Sequence, residues 1–151
     1  MDRIPLISRR RAAARCTQGG SAIVEFALVA LIFFTLLIGT MEFGRWLFTL
    51  NAANEATRLG ARLAVVCSIT DAPDIKVRMR QIANGIPAAN MEINYMPAGC
   101  DAGNCKTVTV RLVGATFSPL IPLLGGSYPI PQFSTSLPRE LMNSAGNPVC
   151  P

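Results

Sequence analysis

Histidine is absent from this chain of 151 residues, and with it the side chain that most often moves protons or binds metals near neutral pH. There is also no Gly-x-Ser-x-Gly nucleophile elbow and no glycine-rich loop of the phosphate-cradling kind. No two cysteines stand two residues apart, the spacing that structural zinc sites and thiol oxidoreductases use; the nearest pair, Cys100 and Cys105, has four residues between them. These gaps argue against an enzyme, a metal centre and a bound cofactor. Charge is scarce in one place above all: after Glu25 no charged residue occurs until Glu42.

The net charge of +5 is unevenly held. Residues 1–20 contain Arg3, Arg9, Arg10, Arg11 and Arg15, five of the 14 basic residues, against one of the nine acids. The remainder is left with nine bases and eight acids, close to neutral. A nucleic-acid surface needs a basic folded part, so no nucleic-acid partner is expected. A basic flank beside an apolar helix instead holds that end in the cytoplasm and sends the rest of the chain to the other side.

The apolar stretch runs from Ala22 to Met41. Ile23, Val24, Phe26, Leu28, Val29, Leu31, Ile32, Phe33, Phe34, Leu36, Leu37 and Ile38 each favour insertion by about 0.3 to 0.6 kcal/mol, together about 5 kcal/mol. Glu25 opposes this by about 2.5 to 3.5 kcal/mol at mid-bilayer, and less near the entering end where it stands. The apolar term wins. Twenty residues rising about 1.5 Å each span about 30 Å, one hydrocarbon thickness. A buried core helix would give the arginine-rich flank no purpose. A secretory signal would be shorter and would end in a small-residue cleavage site, whereas this run passes into Met41-Glu42-Phe43-Gly44-Arg45-Trp46. Phe43, Trp46 and Phe48 read as an aromatic belt at the membrane surface.

Helical patterning continues beyond the membrane. Trp46, Leu50, Ala53, Thr57, Ala61 and Ala64 follow a three-and-four spacing, while Asn51, Glu55, Arg58 and Arg62 share another face. One helix is predicted over residues 21–66, with Gly39, Gly44 and Gly60 as points of local weakening, Gly39 and Gly44 alternatively as points of close approach for neighbouring helices, and Glu55–Arg58 as a surface pair. A short helix follows over residues 74–84, ended by Gly85 and Pro87. The alternating segments Met91–Met96 and Thr107–Val113 predict a hairpin, and a third strand is expected over 132–137, after a loop of Pro and Gly over 118–131. The tail from Asn143 reads as irregular.

The chain thus divides into a basic cytoplasmic leader (1–20), a long helix (21–66) that is transmembrane over about 22–41, and an outer domain (67–151). The fold class is α+β, with a short helix and a three-stranded antiparallel sheet after the long helix. A domain of that size commonly needs cross-links. Cys67, Cys100, Cys105 and Cys150 all fall in it, while Cys16 falls in the leader. Four cysteines allow three pairings. The short loop between Cys100 and Cys105 favours a local bond, which leaves Cys67 for Cys150.

The stretch Gly20-Ser21-Ala22-Ile23-Val24-Glu25-Phe26 resembles the type IV prepilin processing motif. With Gly19, Ala27, Leu28, Met41-Glu42-Phe43-Gly44 and Asn51 to Arg62, the first 65 or so residues resemble the TadE-like family, minor pilins or pseudopilins of the tight-adherence (Tad/Flp) pilus machinery. Ala30 stands where that family often has a proline. The resemblance implies cleavage by a prepilin peptidase between Gly20 and Ser21, with Glu25 and Phe26 serving recognition and assembly. It also implies an inner-membrane protein with a periplasmic outer domain. Its partners would be the peptidase, other Tad pilins and minor pilins, and the inner-membrane assembly platform. Major pilins of this machinery are little more than the helix, so an outer domain points to a minor subunit. The competing expectation is an uncleaved single-pass protein whose outer domain binds a partner.

Overall fold

The structure is a computed structural model and describes residues 19–121 and 125–150. The leader arginines and Cys16 lie outside the described residues. No proline interrupts the sequence between Pro5 and Pro73, and α1 runs without a break over Gly19–Val66. Within residues up to Ile38, one compact unit, the side chains from Ile23 onward are almost all exposed, and Phe26 is 74% exposed. The most apolar 18-residue window of α1 is 0% buried, which removes the buried core helix as an explanation of its hydropathy. It is long and apolar enough to cross a membrane, and it fits a single-pass membrane protein.

The second unit starts at Gly39, so its core includes the later half of α1. Ala53, Ala56, Thr57, Ala61 and Ala64 are buried while Asn51, Glu55, Arg58 and Arg62 are exposed, as the spacing predicts. α2 covers Ala72–Ile82, two residues earlier at each end than expected. Pro73 sits in its first turn, where a missing N–H costs nothing; Asp74 and Arg80 lie at the ends that suit the helix dipole. Ile75 and Met79 face inward and Val77 faces out, a consequence of the 3.6-residue period. Gly60 is a close-approach glycine within the chain: a Cβ there would lie 2.5 Å from Met79 Sδ.

Three strands form the sheet: β1 (Met91–Met96), β2 (Thr107–Leu112) and, after two short strands, β5 (Ser134–Pro138), with β2 in the middle and both pairings antiparallel. Val108, Val110 and Leu112 are buried and Thr107 and Arg111 exposed, the alternation that a sheet covered on one face requires. Thr57 joins α1 to the sheet. Its hydroxyl donates to the Asn54 carbonyl (2.7 Å) and lies 3.1 Å from Thr135 Oγ1. Its one proton being used, Thr135 must be the donor to Thr57.

Two features go beyond the sequence reading. Thr116–Phe117 (β3), just before the segment expected to be an open loop, pairs with Tyr128–Pro129 (β4) inside it. The irregular tail is also docked: the amides of Glu140 and Met142 reach the Val65 carbonyl, and that of Asn143 donates to the Val66 carbonyl at 2.8 Å. These are acceptors that a helix C-terminus leaves unpaired. The Ser144 hydroxyl accepts from the Ser68 amide (2.8 Å) and donates to Asp71.

Candidate functional site

Gly20, Ser21, Glu25 and Phe26 all fall in the first two turns of α1, and all four are exposed. A Cβ on Gly20 would meet nothing within 4 Å among the described residues. Ser21 and Glu25, four residues apart, share a helix face. Between Glu25 and Arg45 the sequence has no basic residue, so α1 offers Glu25 no cation within the apolar run.

The other end of the run holds a cluster that the sequence reading missed. Glu42 is only 7% exposed. Its two carboxylate oxygens accept from Arg45 Nη1 at 2.8 and 2.9 Å, and Oε1 also accepts the Leu120 amide at 3.0 Å. The Arg45 guanidinium lies 5.4 Å from the centre of the Phe117 ring, within cation–π range. Around this knot Gly39, Phe43, Trp46, Phe117, Pro119 and Tyr128 line an open groove of about 360 Å³. Trp46 is half-buried, and its indole N–H is buried with no hydrogen-bond partner among the described residues. Phe43 and Phe48 remain exposed as expected. The three-residue spacing of Glu42 and Arg45 was a visible signal; the bond to Leu120, 78 residues away, was not.

Elsewhere, Glu55 and Arg58 are 3.8 Å apart and more than half exposed, a weak surface pair. Glu92 and Arg111 face each other across β1 and β2 at 2.7 Å, and the Arg111 hydrogen bond holds the Glu92 carboxyl below the ordinary carboxylate range. Burial pushes the Tyr95 phenol up, and the Asp71 charge adds to this. Cys67 and Cys150 are joined, as are Cys100 and Cys105, with Cα separations of 5.5 and 5.0 Å. The loop between the latter pair is built by its own side chains. Asp101 Oδ1 accepts the amides of Gly103 (2.7 Å) and Asn104 (3.0 Å), while Asn104 Oδ1 accepts that of Asp101 (2.8 Å). Among the described residues no group of three or more Cys, Asp or Glu side chains could hold a metal.

Comparison with the curated proteins and with the solved structures finds no match. Residues 20–62 match the model of the family described as TadE-like protein, a segment that starts at Gly20 and ends within the buried alanine stripe. The helix that carries Gly20, Ser21, Glu25 and Phe26 is therefore similar, over residues 20–62, to that of the TadE-like family.

Proposed function

We propose that this chain is a minor pilin or pseudopilin that takes part in assembling a Tad/Flp pilus used in adherence, after a prepilin peptidase has cut between Gly20 and Ser21. Glu25 carries this reading: it is the one charge in an exposed apolar run, one turn from Ser21, and that run supplies no base to answer it. Cleavage would create an ammonium at Ser21, on the face that Glu25 shares. That amine neutralises the carboxylate of the same chain or of a neighbour when helices pack in the bilayer. The cut also separates the subunit from its arginine-rich cytoplasmic flank. The outer part, with its two cysteine bridges, suits the oxidising periplasm. The role is structural rather than catalytic, in line with the lack of histidine. Partners follow from it: the peptidase, other Tad pilins and minor pilins, and the inner-membrane assembly platform.

The test is N-terminal mass analysis of membrane-extracted protein together with two variants. The native chain should begin at Ser21; Gly20→Leu should keep residues 1–20; Glu25→Leu should be cut yet fail to support piliation. Normal piliation with Glu25→Leu would overturn the pairing account. A native chain that still begins at Met1 in peptidase-competent cells would leave an uncleaved single-pass protein with a partner-binding domain.

A further inference from the structure

We propose that the described residues just after β3, 118–121, make a second membrane contact, with Leu120 entering the headgroup–acyl boundary of the leaflet where the apolar run of α1 ends, and with Glu42 as the residue that holds it there. The inference rests on α1 spanning the bilayer and goes beyond the pilin reading. The apolar run ends at Met41, so the next residue, Glu42, stands at the boundary. Glu42 Oε1 accepts the Leu120 amide at 3.0 Å, which fixes the backbone of Leu120 at that same level. The Leu120 side chain is not turned into the core: it is 77% exposed, and Phe43 and Tyr128 nearby are also open.

Charge decides what can cover this face. No charged residue occurs between Arg111 and Arg139, so residues 118–121 meet the bilayer without the cost of carrying a charge into it. The one carboxylate at the contact, Glu42, is buried and answered by both bonds from Arg45. Aromatic rings beside an exposed leucine, continuous with a membrane span, have the composition of an interfacial lipid contact. The occupant is therefore the phospholipid surface itself.

The experiment uses the full chain with Trp46→Phe, which removes its one tryptophan, in phosphatidylcholine vesicles brominated either high on the acyl chains or near their ends. Single tryptophans are placed by Leu120→Trp, by Phe34→Trp within the span, and by Val149→Trp. The last is held through Cys150 at the far end of α1, about 39 Å beyond Met41 at 1.5 Å per residue. Leu120→Trp should show blue-shifted emission, quenched by the high bromines more than by the deep ones, at every protein-to-lipid ratio. Phe34→Trp should be quenched by deep bromines and Val149→Trp by neither. Adding Glu42→Leu should lessen the quenching at position 120 while leaving that at position 34 unchanged, a split that general unfolding would not give. If Phe34→Trp is quenched and Leu120→Trp stays water-like, the loop proposal is wrong and the span stands. If Leu120→Trp becomes protected only as protein is crowded on the vesicle, the face belongs to a second copy and the proposal is equally wrong. Loss of quenching at both positions removes the span and the proposal with it.

Discussion

Thr57 shows how much a single buried polar atom can fix. Its hydroxyl is fully buried, gives its proton to Asn54 and receives that of Thr135, so α1 and β5 are tied by one hydroxyl pair within an alanine-lined core. Replacing Thr57 by Val keeps the shape but leaves the Thr135 hydroxyl without its acceptor, at a cost of about 1 to 3 kcal/mol. Adding Thr135→Val removes the stranded group and should recover much of that loss. Denaturant midpoints for the two single variants and the double variant, in detergent, give the coupling directly; additive losses would show that the hydroxyls act independently. Thr57 was placed on the inward face by helical spacing alone. Glu42 was not, because burial of a carboxylate depends on a backbone amide 78 residues later, and no local pattern encodes that.

Elements divide in the same way. α1, α2 and the three strands of the sheet were legible because each obeys its own period, and the shifts of about two residues at α2 and β5 are of the size by which helix and strand ends commonly vary. β3 and β4 were hidden: each is two residues long, too short to show an alternation, and a Pro- and Gly-rich stretch hides the pairing. The docked tail was hidden for a different reason, since its order comes from the unpaired carbonyls of α1 rather than from its own residues. Its bridge from Cys150 to Cys67 closes 83 residues of sequence. In the chain-entropy view it should stabilise by about 4 to 5 kcal/mol, against about 2 for the Cys100–Cys105 loop. Cys67→Ser with Cys150→Ser should therefore lower the denaturation midpoint more than Cys100→Ser with Cys105→Ser, and peptide mapping without reduction should recover those two pairs and no others. The hairpin adds a pH dependence. Arg111 holds the Glu92 carboxyl below its ordinary value of 4.5, so the stability contributed is present above that value and is lost as the pH falls through the lowered one. Arg111→Gln should flatten this part of the acid limb when unfolding midpoints are compared between neutral and acid solution; an unchanged limb would mean the pair is solvated in both states.

At the scale of the whole molecule, cleavage would redistribute charge and thiols together. The intact sequence has a pI near 9.3, but that basicity lies in residues 1–20; from Ser21 onward nine bases face eight acids. A chain cut between Gly20 and Ser21 gains one amine as it loses another, so its isoelectric point should fall but stay on the alkaline side of neutrality. The same cut removes Cys16, while Cys67, Cys100, Cys105 and Cys150 are taken up in two bridges. Isoelectric focusing in urea and neutral detergent, with a maleimide label added before any reductant, reads both changes at once. The native protein should focus at a less basic position than Gly20→Leu and take no label, and Gly20→Leu should take label at Cys16. Charge and thiol must change together, because both lie on the same side of one peptide bond. A labelled native protein as basic as Gly20→Leu would show that the leader is retained. A less basic but labelled one would show a cut chain whose four remaining cysteines are not fully bridged, which separates failure of the bridging from failure of the processing.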